Sequence, residues 1–242
     1  MGVVYKAYDP DMQRVVAIKT LRMELLEDNN KQILLSRFRS EAIAYGRCLH
    51  PNIVTCYSCD QDGEIIFIVL EYVEGNSLKE YLSQVKTISL SETVSIIKQI
   101  LDALACAHDQ GVIHRDIKPA NVLMMKNGRV KVTDFGVARI DTGNATQTGC
   151  PIGSPNYMSP EQFSGDPIDC RADIFSTGAV LYELLTGEKP FSGNDLRETL
   201  HNVLLSNPKA PSFLNSQVSK ELDKVVFKAL QKDKNKLRRH AP

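Results

Sequence analysis

The sequence predicts an α+β chain in which a small β-rich lobe is followed by a larger, mainly helical lobe. Two observations carry this. Up to Val73 most apolar residues fall in short, β-rich runs, with one helical stretch at 31–49, and beyond it, one hairpin apart, they recur at helical spacing. Strands first and helices after is the order of a segregated α+β fold, not of alternating βαβ units. The change of period places one lobe at residues 1–73, a hinge at 71–73 and the second lobe at 74–242.

Taken in order, residues 3–8 and 15–20 are β-rich runs around the turn cluster Asp9-Pro10-Asp11, and together predict a hairpin. Lys19 lies within the second run, directly after the apolar Ile18. An ammonium there either reaches water at an edge or needs an acid partner. From Lys31 to Leu49 the positions Leu34, Phe38, Ala42, Tyr45 and Leu49 recur with helical period, and Glu41 falls at the margin of that stripe as the candidate partner of Lys19. His50-Pro51-Asn52 ends this helix. Two further strands, 53–59 and 65–73, flank the turn at Asp62-Gly63. Leu78, Tyr81 and Leu82 begin a short helix. Ser89 and Glu92 have capping-box spacing and open a longer one, with Val94, Ile97, Leu101, Leu104, Ala105 and His108 inward and Gly111 at its end. Asp173 opens a strongly apolar helix stopped by Gly187, and Leu222, Val225, Val226, Ala229 and Leu230 mark a last amphipathic one.

The stretch from Val112 to Gly136 concentrates the chemistry. Asn127-Gly128 between two apolar runs is a strong signal for a two-residue hairpin turn. Under that register Leu123 faces Val132 and Asn121 faces Asp134, with opposed Cβ atoms roughly 4.5–5.5 Å apart. An amide oxygen beside a carboxylate at that separation can hold a hard cation such as Mg²⁺. Asp116 and Lys118 lie in the short loop feeding the first strand, a few residues from the proposed metal.

Composition excludes several classes. Lys+Arg and Asp+Glu are both 29, so no overall field points to nucleic acid or an anionic membrane. The longest purely apolar run, Ile65 to Leu70, is far short of the roughly 20 residues that span a bilayer. Asp9, Asp11 and Arg14 interrupt the early apolar residues, so no signal peptide is expected. The six cysteines are scattered, and Cys56 and Cys59 without a second pair or a neighbouring His are expected to be two reduced thiols rather than zinc ligands. The expectation is a cytoplasmic protein of a reducing compartment, without a membrane segment in this chain.

His114-Arg115-Asp116 with Asn121, followed by Asp134-Phe135-Gly136, resembles the catalytic and metal-binding loops of protein kinases. Lys118, two residues after Asp116, resembles the Ser/Thr-specific branch, and Ala145-Thr146-Gln147-Thr148 resembles the doubly phosphorylated loop of bacterial eukaryotic-like (Hanks-type) kinases. The resemblance implies a bilobal protein-kinase-like fold that uses ATP and Mg²⁺ to phosphorylate Ser/Thr hydroxyls of proteins. It implies Asp116 as proton acceptor, Lys118 at the γ-phosphate, Asn121 and Asp134 on Mg²⁺, and Lys19 held by Glu41 against the α/β-phosphates. Gly2 would belong to the phosphate-covering loop. Val4, Ala17 and Leu123 would sandwich the base, Leu70 would stand at the back of the pocket, and the backbone of Glu71 to Val73 would bind adenine. Thr146 and Thr148 fall where activating phosphates sit, Arg115 is their implied partner, and Ser154 stands where the family carries a Thr that bonds the catalytic Asp and Lys. Asp173 would brace the catalytic-loop backbone. Self-association for autophosphorylation in trans is a further implication.

The resemblance frays at both ends. Only Gly2-Val3-Val4 remains of the Gly-rich loop, and after Lys232-Asp233 the expected Arg, here Arg238, is out of step. The expectation is therefore either a fragment of a longer protein, which could carry a membrane anchor, or a mis-started reading frame. The rival expectation is a non-catalytic nucleotide-binding or scaffold module.

Overall fold

A computed structural model describes residues 3–20, 39, 42–63, 65–85, 88–135 and 155–237. Strands β1 (Val4–Asp9), β2 (Arg14–Thr20), β3 (Cys56–Asp62) and β4 (Ile65–Glu71) form one antiparallel sheet in the order β1-β2-β4-β3. The remainder is mainly helical: α1 (Leu78–Gln84), α2 (Leu90–Asp109), α3 (Pro160–Ser164), α4 (Arg171–Thr186), α5 (Leu196–Leu205), α6 (Pro211–Leu214) and α7 (Lys220–Ala229). This is the expected α+β division. A small second sheet, β5 (Gly75–Ser77), β6 (Val122–Met125) and β7 (Val130–Val132), lies on the helical side.

The register of the large sheet does functional sorting. Val4 pairs with Lys19, Lys6 with Ala17, Ala17 with Leu70 and Lys19 with Ile68. Directly paired residues share a face, and alternate residues along a strand do too. Val4, Ala17, Lys19 and Leu70 therefore all lie on one face. That face is the one through which Ile66, Ile68 and Leu70 of β4 are buried.

Several expected boundaries move. Ile53 and Val54 do not continue β3. They run beside β7, with Ile53 bridged to Val132, Val54 N–H donating to Val132 O at 2.9 Å and Val132 N–H to Asn52 O at 2.8 Å. Both residues are buried, and this detour joins the loop before β3 to the hairpin that carries the site. Asn52, expected only as a helix breaker, donates from Nδ2 to Gln99 Oε1 at 2.9 Å and to Val130 O at 2.8 Å. Gln99 in turn accepts from Val130 N–H at 2.9 Å, which seats β7 on α2.

On α2 the buried stripe is Thr93, Ile96, Ile97, Ile100, Ala103, Leu104 and Ala107, while Val94 is exposed. The expected stripe lay about one residue C-terminal. Adjacent apolar pairs at 96–97, 100–101 and 103–104 make the phase ambiguous in sequence, and the small Ala103 and Ala107 sit inward on the helix that packs on α4. Ser89 caps α2 by accepting from Glu92 N–H at 3.2 Å, but the Glu92 carboxylate accepts instead from Tyr81 O–H at 2.6 Å. The reciprocal capping box forms at Ser77 and Glu80 of α1. Leu49 lies beyond the helical residues 42–46 and is exposed, as is Val225 on α7.

Phe175 and Phe191 stack with ring centroids 5.7 Å apart, and the Lys232 amine lies 3.5 Å from the Phe191 centroid. Its Nζ donates to Val203 O at 2.6 Å and Asn202 O at 3.2 Å, in the last turn of α5, where a cation is favoured. Burial pushes this ammonium from 10.5 down to about 7. The unfolded chain then holds a proton that the folded chain lacks between pH 7 and 10.5, so the contribution of Lys232 to stability rises across that window. The unfolding free energy of the wild type minus that of Lys232→Met is expected to be flat below pH 7 and to climb above it. Chemical denaturation at stepped pH measures this, and a flat difference up to pH 10 contradicts it.

Candidate active site

The β6–β7 hairpin is built differently from the expected two-residue turn. Gly128 N–H donates to Met125 O at 3.0 Å and Met125 N–H to Arg129 O at 2.9 Å, enclosing a three-residue loop, Lys126-Asn127-Gly128. Of these, Gly128 has φ +78, whereas Asn127 is not among the residues of positive φ, so the I′ geometry is absent. A type I turn followed by a left-handed Gly is the usual three-residue solution. It shifts the pairing to Val122↔Val132, Leu123↔Lys131 and Met124↔Val130. Asn121 therefore opposes Thr133, whose N–H donates to Asn121 O at 3.0 Å, and does not oppose Asp134. This corrects the expected register by one residue.

Asp134 still turns into the site because it leaves the strand. Its φ is +66, and its Oδ1 accepts from Lys19 Nζ at 2.7 Å. Arg115 is also left-handed, at φ +65. Non-glycine residues in this region cost roughly 1–3 kcal/mol and persist where their surroundings over-determine them. Asp173 does so for Arg115. The carboxylate is fully buried and accepts from His114 N–H, Arg115 N–H and His108 Nε2, each at 2.8 Å. The expected brace is thus in place, and His108 packs at the core edge as one of its donors.

His114 is buried and fixed in one tautomer by its neighbours. Asp116 N–H donates to Nδ1 at 3.2 Å, so Nε2 carries the proton that reaches Thr133 O at 2.9 Å. Its ring meets Phe135 at 4.6 Å between centroids, and Phe135 stacks on Tyr45 at 5.2 Å. Tyr45 O–H closes onto Val54 O. The loops bearing Asp116 and Asp134 are thereby locked to each other and to the helical residues 42–46.

The polar centre follows. Lys118 Nζ donates to Asp116 Oδ2 at 2.6 Å, and Asn121 Nδ2 donates to the same oxygen at 3.0 Å and to Asp116 O at 2.8 Å. Lys118 and Asn121 are buried, while the Asp116 side chain keeps 24% exposure toward the cleft. Because both amide hydrogens of Asn121 have acceptors, its oxygen is the atom left for a cation. Asp134 likewise has one oxygen beyond the one on Lys19. One amide oxygen and one carboxylate form a hard-cation set that suits Mg²⁺, which takes few protein ligands and keeps waters or phosphate oxygens. Among the described residues no group of three His, Cys, Asp or Glu side chains forms an all-protein cage.

Around this centre Ala17, Val73 and Leu123 are half-buried against the core, Leu70 is buried and Val4 is exposed at the outer strand. Glu71 has a role that the sequence did not reveal. Its N–H donates to Thr55 O at 2.8 Å, and its Oε2 accepts from Thr55 N–H at 3.1 Å, Thr55 Oγ1 at 3.2 Å and Lys131 Nζ at 2.9 Å. Lys131 also donates to Ile53 O at 3.1 Å. The Glu71 carboxylate is thus a structural tie between the end of β4 and β7, two residues before Thr133, and its amide is committed to Thr55. Only contacts across 60 residues reveal this pairing. Lys131→Met removes the cation from the part-buried Glu71 carboxylate and is expected to lower the unfolding free energy by about 1–3 kcal/mol, with Lys131→Arg restoring most of it. Chemical denaturation checks this, and a Lys131→Met protein as stable as the wild type contradicts it.

Gly2, Glu41, Thr146, Thr148 and Ser154 lie outside the described residues, as does Arg238, so the expected Lys19–Glu41 pair does too. Besides the bond from its N–H to Asp173, Arg115 accepts at its carbonyl from Gln162 Nε2 of α3 at 2.7 Å. That bond ties the loop bearing Asp116 to the Ser159-Pro160-Glu161 segment.

This arrangement, with a small sheet presenting a lysine to an Asp that follows a hairpin, defines the class of protein kinase domains. Residues 1–239 match the family described as "Protein kinase domain", and the chain belongs to it. It is 42% identical over 240 residues to a probable serine/threonine-protein kinase, SCO3848, of Streptomyces coelicolor, covering 96% of this chain and 35% of that protein. It is 41% identical to the serine/threonine-protein kinase PknB of Mycolicibacterium smegmatis, covering 96% and 38% respectively. To the serine/threonine-protein kinase PrkC of Bacillus subtilis it is 40% identical over 235 residues, covering 96% and 36%. The chain spans little more than a third of the length of these relatives. No helix of the described residues is long and apolar enough to cross a membrane.

Proposed function

We propose that this domain transfers the γ-phosphate of ATP to Ser and Thr hydroxyls of proteins. The observation that carries this reading is the shared Asp116 oxygen, met by Lys118 Nζ and Asn121 Nδ2, in the site where Lys19 of the other lobe reaches Asp134. Asp116 orients the acceptor hydroxyl and takes its proton as the new P–O bond forms. The bond from the γ-phosphorus to the bridging oxygen breaks, and ADP departs with the electron pair. Lys118, freed from Asp116 by the incoming hydroxyl, steadies the transferring phosphate, and Lys19 holds the α/β-phosphates. Bound Mg²⁺ supplies charge neutralisation, with Asn121 and Asp134 as its protein ligands. Catalysis of this kind rests on positioning and electrostatics.

The adenine is enclosed by Val4, Ala17, Leu70 and Leu123, with the backbone of Glu71 to Val73 along its edge; since the Glu71 amide is committed, its carbonyl and the Val73 backbone are the groups available. Gly2 would cover the phosphates, and Glu41 would hold Lys19 against them. Phosphates on Thr146 and Thr148, placed by a second copy of the domain, are received by Arg115, and Ser154 bonds Asp116 and Lys118. The compartment is the cytoplasm, in keeping with Cys48, Cys56, Cys59, Cys106 and Cys170 as free thiols.

Incubation of the purified chain with γ-labelled ATP, Mg²⁺ and a mixture of basic and acidic proteins is expected to yield labelled phosphoserine and phosphothreonine. Label on tyrosine alone, or none, contradicts the proposal and favours the non-catalytic module.

A further inference from the structure

A concavity of about 330 Å³ opens beside Lys118, between α1, the catalytic loop and residues 155–157. Its charged lining is Lys79, Lys118, Lys189 and Glu183. Two of these are already engaged. Lys118 is paired with Asp116 at 2.6 Å, and Glu183 accepts from Tyr157 O–H at 2.6 Å. The adjoining acid on the far side of α1, Glu92, is held in the same way by Tyr81 O–H at 2.6 Å. Glu80, next to Lys79, is turned back onto Ser77 N–H and Oγ. The ammonium groups of Lys79 and Lys189 are exposed, and among the described residues neither forms an ion pair. Each of these carboxylates has a hydroxyl or amide donor; Lys189 acts on Glu183 and Lys79 on Glu80 only at longer range, and three lysines against one carboxylate leave the lining with a surplus of positive charge.

We infer that this concavity is a substrate subsite that selects an anionic side chain, Asp, Glu or a phosphorylated residue, near the acceptor hydroxyl, with Lys79 and Lys189 as its specificity-determining residues. The inference rests on the phosphoryl-transfer reading for its catalytic consequence, because Lys118 links the subsite directly to Asp116. Burial raises the pKa of Glu183, opposed by the Tyr157 hydrogen bond and by the charge of Lys189. Leu82, Pro119 and Tyr157 give the concavity an apolar wall against which a peptide backbone can lie.

The test walks a single Asp, and in a second series a single phosphoserine, through each position flanking one Thr in an otherwise neutral peptide. Wild type and Lys79→Glu/Lys189→Glu are compared by kcat/KM and by fluorescence anisotropy of labelled peptide. Wild type is expected to gain about 2- to 5-fold at one or two positions, in keeping with partly exposed ion pairs. The double variant is expected to lose that gain and to turn over the neutral peptide at the wild-type rate. The series with the larger gain identifies the anion. No gain at any position, or a gain that survives charge reversal, overturns the inference. Absence of all turnover in both proteins counts against the kinase reading, and anisotropy then still decides the subsite: unchanged affinity for the anionic peptides in the double variant overturns it.

Discussion

Asp116→Asn is expected to lower kcat for phosphoryl transfer by about 10²–10⁴-fold, the range for removing a positioned general base, while leaving ATP affinity close to that of the wild type. Asn is the informative substitution. It keeps a side-chain oxygen of the same reach, so Lys118 Nζ and Asn121 Nδ2, now 2.6 and 3.0 Å from Asp116 Oδ2, retain an acceptor. The backbone bonds of this residue, its N–H to His114 Nδ1 and its carbonyl to Asn121 Nδ2, are untouched. Only the charge and the proton affinity go. Steady-state kinetics beside calorimetric ATP binding separates the two effects. A variant that retains most of the wild-type kcat removes Asp116 from the role of proton acceptor.

The second large effect is on stability. Asp173→Ala deletes a fully buried carboxylate and strands three donors at once: His108 Nε2, His114 N–H and Arg115 N–H. Breaking a buried, fully bonded charge typically costs about 3–5 kcal/mol, against a total stability of roughly 5–15 kcal/mol. Arg115 would also lose the carboxylate that holds its left-handed backbone, so the catalytic loop should relax where Asp116 follows it. For a domain of this size the loss corresponds to a fall in Tm of roughly 6–20 °C. Asp173→Asn, which keeps one acceptor oxygen, should fall between. Thermal denaturation of the three proteins orders them, and an Asp173→Ala protein melting with the wild type contradicts the bracing role.

Much of this site was legible because its signals are local. Asp116, Lys118 and Asn121 come from one loop, and that they approach each other follows from a few residues of chain. The hairpin illustrates the limit. Asn127-Gly128 announced a turn, but the sequence did not show that the left-handed position falls on Gly128 alone, and one extra loop residue moved the whole register. Asp134 reaches the site not through strand pairing, as the two-residue turn implied, but by leaving the strand at a positive φ. The stripe on α2 was misplaced for a related reason: paired apolar residues satisfy two phases equally, and the choice was made by the helix packed on it. The pairing of Glu71 with Thr55 and Lys131 carries no sequence signal, since Glu71 and Lys131 are ordinary strand residues and Thr55 only precedes a strand until the fold brings them together. The sheet face shared by Val4, Ala17, Lys19 and Leu70 follows from period two once the strand pairs are known.

Calorimetric titration of ATP with and without Mg²⁺, in the wild type, Asp134→Asn and Asn121→Ala, bears most directly on whether these two side chains hold one metal at the phosphates. Mg²⁺ should tighten ATP binding to the wild type, and that gain should disappear in Asp134→Asn and shrink in Asn121→Ala. An equal Mg²⁺-dependent gain in all three proteins would contradict the site described here.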